Sequence, residues 1–151
     1  MKLPADMDAA AVQMADQFSL PANLVRAFIA VESSGRWHAQ RFEPGWRYWF
    51  RGFALSPAEK RFQATSWGPM QVMGAVAREL GYTGHSDGFE LCGPAGIEYG
   101  CRKLAQLRKR DLASWGWDGV ARSYNTGQPR PSKAGNAYLA KIKRAMKEVG
   151  A

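Results

Sequence analysis

A mainly helical single domain is the fold this sequence predicts, and three observations predict it. Nearly every regular stretch spaces its apolar residues three and four apart, the period of a half-buried helix. Residues that start and stop helices bracket those stretches. The 151 residues, 46% of them apolar, suffice for one real core, with no internal repeat, no linker and no apolar run long enough to span a membrane. The predicted unit is therefore the whole of residues 1–151.

Ala9 to Phe18 reads as a short helix, with Val12, Met14, Ala15 and Phe18 apolar, and Ser19-Leu20-Pro21 breaks it. Pro21 suits the first turn of a second helix running to Ser33, which Ser34 and Gly35 then stop. Arg36 to Thr65 is the least regular part. It holds Phe42, Trp46, Tyr48, Trp49, Phe50 and Phe53, either a wall for flat sugar rings or a small satellite core. Within it Ser56-Pro57-Ala58-Glu59 has the form of a capping box, so a short helix should begin at Pro57. Pro69 fits the first position of a helix ending near Leu80, and Tyr82 to Leu91 reads as a loop. Pro94 to Arg110 is a strong helical pattern, with Ile97, Cys101, Leu104 and Leu107 apolar and Arg or Lys between them. Trp117 to Tyr124 is another, ended by Asn125-Thr126-Gly127. The last helix, from about Asn136 to Val149, should bury Tyr138, Ile142, Ala145 and Val149.

Twenty-one basic residues against 13 acidic ones give a net charge of +8. That balance points to an anionic partner: nucleic acid, an acidic membrane surface or an acidic polymer such as a bacterial cell wall. The basic residues are spread along the chain, densest at Arg102 to Arg110 and Lys141 to Lys147, which weakens the nucleic-acid reading. No apolar segment of the secretory type follows Met1-Lys2-Leu3-Pro4-Ala5-Asp6. Cys92 and Cys101 would lie about 10 Å apart along a helix axis, beyond the roughly 7 Å that a disulfide bridges, so both are expected as buried thiols. Two cysteines and two scattered histidines, His38 and His85, offer no metal-ligand spacing, and no cofactor is expected.

One carboxylate stands out. Val25, Phe28, Ile29 and Glu32 fall at i, i+3, i+4 and i+7, so Glu32 shares the apolar stripe of the second helix and sits at its end. Desolvation there raises a carboxylate's pKa, and a carboxylic acid that keeps its proton near neutral pH can serve as a general acid. The alternative is a helix-end carboxylate turned to solvent.

Four separated motifs bear on that choice: Glu32-Ser33, Ser66-Trp67-Gly68-Pro69-Met70-Gln71-Val72-Met73, Gly96-Ile97-Glu98-Tyr99-Gly100, and Ala121-Arg122-Ser123-Tyr124-Asn125-Thr126-Gly127. In this order the chain resembles the lytic transglycosylases of the soluble (SLT) type, which have a lysozyme-like, goose-type helical fold. That family carries a Glu-Ser pair, a Gly-Leu-Met-Gln motif, an Asn-Ile-x-x-Gly helix and an Ala-Tyr-Asn-x-Gly motif. The resemblance spans roughly residues 20 to 145. Pro69 replaces the family's leucine and Gly96 its asparagine. The stretch between Glu32 and Gln71 is longer, and its Arg41-Phe42-Glu43-Pro44 looks like phage-borne members and modular phage muramidases.

The resemblance implies cleavage of the β-1,4 bond between N-acetylmuramic acid and N-acetylglucosamine in peptidoglycan. Glu32 would protonate the leaving oxygen and then act as base, while the substrate's own 6-hydroxyl closes a 1,6-anhydro ring. Ser33 would steady Glu32, Gln71 and Asn125 would bind the sugar, and Tyr124 would approach the acid. Glu43 either faces the cleft, as a sugar binder or a second carboxylate that positions water in a hydrolysing muramidase, or pairs with Arg41 or Arg47. The partner expected is the peptidoglycan glycan strand, with no nucleic acid, no membrane insertion and a monomeric protein. A chain of this kind would be made in the cytoplasm and reach the wall, or periplasm, after release or as part of a phage particle. A non-catalytic wall-binding tail module is the reading from another class, and an intact Glu32 argues against it.

Overall fold

The computed structural model describes residues 1–150 and is 61% helical, with six α-helices and one small sheet. In chain order these are α1 (Ala5–Gln17), α2 (Ala22–Ser33), β1 (Gln40–Phe42), α3 (Pro57–Gln63), β2 (Thr65–Trp67), β3 (Val72–Met73), α4 (Gly74–Glu79), a 3-10 turn (Phe89–Cys92), α5 (Pro94–Thr126) and α6 (Lys133–Val149). The mainly α class predicted from the pattern holds, and it fits the lysozyme-like fold that the resemblance implies.

The core is built on α2. Leu24, Val25, Phe28 and Ile29 are buried, and α6 lies along α2 with Tyr138, Leu139, Ile142 and Ala145 turned inward. α1 covers α2 and α5 through Met7, Ala11 and Ala15. The long α5 supplies Ile97, Cys101, Leu104 and Val120, so the apolar side chains of all these helices meet in one cluster. Burial at this density, about 25 cal/mol per Å² of apolar surface, is what holds short helices that would not persist alone.

Helix ends follow the expected chemistry with shifts. The Ser56 hydroxyl accepts from Glu59 N at 3.1 Å and Pro57 opens α3, as predicted. The reciprocal half of the box is not made, because the Glu59 carboxylate is taken by Arg78. α6 starts three residues earlier than expected, since Ser132 caps it through Gly135 N at 3.0 Å. The expected gap between Arg110 and Trp117 shrinks to Gly116 alone, at φ 64°, a value that favours glycine. Across that break the Asp111 carboxylate, itself buried, accepts from Ser123 Oγ at 2.7 Å and from Arg110, clasping the two halves of α5 together.

The helix predicted from Pro69 is corrected. Residues 65–73 form a hairpin, with Ser66 opposite Met73 and Trp67 opposite Val72, and α4 begins only at Gly74. Gly68-Pro69-Met70-Gln71 is a turn closed by Gln71 N to Gly68 O at 3.1 Å, so Pro69 occupies its second position. β1 then pairs antiparallel with β2, giving the order β1-β2-β3. α5 is smooth where it meets this turn. A Cβ on Gly100 would lie 2.3 Å from Met70 Sδ, and one on Gly96 3.0 Å from Pro69 Cδ. The third sequence motif thus seats the second.

The irregular stretch divides. Phe50 is pinned by Gln63, whose side chain bonds both its N (2.7 Å) and its O (2.9 Å), and Phe53 packs on the Arg78 guanidinium at 4.0 Å. Tyr48 stays 77% exposed and Phe42 43%, so only part of the cluster is a satellite core. Both cysteines are free and buried, as expected. No helix among the described residues is long and apolar enough to cross a membrane.

Candidate active site

Glu32 ends α2, partly buried, with the αL residue Ser34 capping the helix behind it. Its neighbours come from three other elements. The Tyr138 hydroxyl of α6 donates to Glu32 Oε1 at 2.5 Å. Lys103 of α5, Lys141 of α6 and Arg41 of β1 are near enough for their charges to act on it. Burial pushes the Glu32 pKa up, and the Tyr138 bond and the three cations pull against it; burial wins. The result is a carboxyl that holds its proton to higher pH than a free glutamate, with one oxygen fixed and the other available. That is the arrangement a general acid needs.

Two of these partners were not read as site residues from sequence. Tyr138 sits on the apolar stripe of α6 and is buried, as expected, but its hydroxyl serves the acid. Lys103 lay among the Arg and Lys residues between the apolar positions of α5. Its Nζ donates to Tyr124 O at 2.9 Å and lies 3.9 Å from the centre of the Tyr124 ring. Burial pushes the Lys103 pKa down to about 8, against the pull of Glu32.

Tyr124 is buried beside the site. Its ring packs 4.5 Å from Phe28, and the Glu32 charge, with burial, lifts its pKa well above the usual value. Its hydroxyl does not meet the acid, however; it donates to Met70 O at 2.7 Å and so ties α5 to the Gly68–Gln71 turn. Gln71 follows directly, at φ 51°, a strained value for a residue with a side chain. Its Nε2 donates to Ala39 O (3.0 Å) and Gly68 O (3.1 Å), which leaves Oε1 as the end free to accept. Asn125 is exposed in the last turn of α5, and Gly127, in the αL conformation, is the cap, so the asparagine is not held by capping.

Ser33 follows Glu32 as the last residue of α2. It is buried, and its hydroxyl donates to Ile29 O at 3.1 Å, one turn back in its own helix, and not to the Glu32 carboxylate. Glu43 lies beside Arg41, whose Nε is 2.9 Å from its Oε1, the pairing anticipated in one of its two readings. Arg41 therefore stands between two carboxyls, bonded to one and acting at longer range on the other. An apolar groove of about 390 Å³ lined by Leu24, Trp117, Leu139 and Met146 shares none of these residues.

Among known families, the profile of the muramidases, described as N-acetylmuramidase, matches residues 46–150, more than two thirds of the chain. The chain belongs to the N-acetylmuramidase family. No curated protein matches it significantly. The family supports a peptidoglycan-cleaving activity and a peptidoglycan substrate. The muramidase match takes in Gln71, Lys103, Tyr124, Asn125 and Tyr138, and it starts beyond Glu32, Ser33 and Glu43.

If Tyr138 tunes the acid, Tyr138→Phe has a readable signature. The hydroxyl stabilises the ionised carboxylate, so its loss raises the Glu32 pKa further. The limb of the pH–activity profile governed by Glu32 should move to higher pH. A variant with an unmoved profile would mean the bond only braces α6 on α2.

Proposed function

We propose that the chain cleaves the β-1,4 bond between N-acetylmuramic acid and N-acetylglucosamine with Glu32 as sole acid and base, releasing 1,6-anhydromuramic ends. The observation that carries this reading is the setting of Glu32: a partly buried carboxyl at the end of an apolar helix stripe, bonded at one oxygen by the Tyr138 hydroxyl, whose pKa burial raises against the opposing pull of that bond and of three cations. The other carboxylate singled out by the sequence, Glu43, is engaged by Arg41. Glycosidases that use two carboxylates place them about 5–9.5 Å apart across the scissile bond.

In this mechanism the free oxygen of Glu32 gives its proton to the glycosidic oxygen as the C1–O bond breaks. The substrate's acetamido group assists at the sugar carbon. Glu32, now ionised and held by Tyr138, takes the proton of the 6-hydroxyl as that oxygen bonds to C1. The carbonyl of Gln71 and the amide of Asn125 bind the sugar, Tyr124 holds the turn that carries Gln71, and Ser33 braces the end of α2. Residues 1–151 act as one monomeric catalytic domain of SLT-like character, reaching the wall after release or in a phage particle.

Hydrolysis is the second reading. The family description, N-acetylmuramidase, is the observation that favours it. The products decide between them. Mass spectrometry of muropeptides released from purified walls should show anhydro ends from the parent and from Glu43→Gln alike. Mostly reducing-end products from the parent would replace the transglycosylase assignment with the hydrolytic one.

A further inference from the structure

We propose that the face of the sheet turned away from Glu32 is a second, non-catalytic binding site for carboxylate-bearing peptidoglycan, centred on Phe42 and Arg61. It rests on the reading of peptidoglycan as the substrate.

Side chains alternate along a strand, so Arg41, which acts on Glu32, leaves Gln40 and Phe42 on the opposite face of β1. The register sets Gln40 against Trp67 and Phe42 against Thr65, and these four line a hollow of about 450 Å³ behind the sheet. Trp46, Trp49, Arg47 and Lys60 line a second hollow, of about 280 Å³. Phe42 and Arg61 belong to both and form the ridge between them.

That ridge is built for a ligand rather than for the fold. Phe42 leaves 43% of its surface in water. The Arg61 guanidinium stacks 4.4 Å from the centre of the Phe42 ring and, among the described residues, makes no ion pair. Arg47 is held by the carbonyls of Pro44 and Trp46, and Lys60 is exposed. Against these three cations the lining of the two hollows holds one carboxylate, Asp87, which is already beside His85. Glu43 and Glu59 are engaged by Arg41 and Arg78.

A planar guanidinium fixed on an aromatic face is pre-set for bidentate binding of a carboxylate. Exposed aromatics beside it offer flat apolar surface for a sugar ring. A muropeptide carries both groups, a ring and stem-peptide carboxylates. Charge complementarity therefore selects it over a neutral glycan.

The test uses the full chain carrying Glu32→Gln, so that the wall is not cut. Co-sedimentation with purified sacculi measures binding, and melting curves verify folding. Adding Arg61→Ala should weaken binding about tenfold, Arg61→Lys less, since it keeps the charge and loses the fork. Phe42→Leu should weaken it as well while filling most of the ring's place. In solution, a disaccharide-tetrapeptide should bind in an Arg61-dependent way, and Arg61→Ala should leave chitotetraose binding unchanged. Equal sacculus binding by the folded Arg61→Ala protein overturns the second site while leaving the wall reading intact. Failure of the Glu32→Gln chain itself to bind sacculi overturns the wall reading and this site with it. Equal loss of chitotetraose binding overturns the carboxylate role of Arg61.

Discussion

Glu32→Gln should lower wall-cleaving activity by about 10²- to 10⁴-fold, the usual contribution of a positioned general acid. The amide keeps the shape and can still accept from Tyr138, so the loss isolates the proton. Release of soluble muropeptides from purified walls is the measurement. Activity within about tenfold of the parent, or about 1.4 kcal/mol of barrier, would remove Glu32 from the chemistry. The same variant has a second signature. Burial lifts the Glu32 pKa above its unfolded value. Its contribution to stability is therefore full only below the unfolded carboxylate range and is lost as pH rises through the folded value. Above the unfolded carboxylate range the parent therefore carries a penalty that glutamine, which has no proton to lose, does not. Glu32→Gln should melt at a higher temperature near pH 7, with the difference closing towards about pH 4.

Arg78→Met should cost about 3–5 kcal/mol of stability, the scale for orphaning one half of a buried ion pair. The Arg78 and Glu59 side chains are 2% and 6% exposed. Arg78 bonds both Glu59 oxygens (2.7 and 3.1 Å) and the carbonyls of Tyr82 (3.1 Å) and Gly84 (2.7 Å). Its plane lies against Phe53, Phe62 and Tyr82. Removal leaves the Glu59 carboxylate buried with Gln63 as its remaining partner at 2.8 Å. For a chain of this size the melting temperature should fall by about 10 °C. Adding Glu59→Leu should recover much of the loss, because the orphaned charge goes with it. A single-variant cost under about 1 kcal/mol would show that water reaches the pair.

The parts legible in the sequence were those with a local cause. The stripe that carries Glu32 to the end of α2 is a helical period, and the Ser56 cap is a side chain meeting its own backbone. Pro69 misled because a helix start and the second position of a turn both want φ near −65°; proline satisfies either. The sheet was invisible because strands of two and three residues are too short to display a two-residue alternation. Tyr138 and Lys103 were hidden for another reason. A tyrosine on an apolar stripe reads as core, and a lysine between apolar positions reads as solvent face; what their polar ends meet is decided by other elements. The pairing of Glu43 with Arg41 was foreseeable as one of two readings from their nearness in sequence, two residues apart at the end of β1.

The bond between Glu32 and Tyr138 joins residues 106 apart in sequence. Bringing such distant points together from an open chain carries an entropic cost of about 4 kcal/mol by loop-closure scaling, which the packing of α6 along α2 must offset before the contact exists. The clasp across Gly116, by contrast, spans 12 residues and can close early. The acid's environment thus depends on the docking of α6 along α2. Without that docking Glu32 lacks both the Tyr138 hydroxyl and the Lys141 charge that act on its carboxyl.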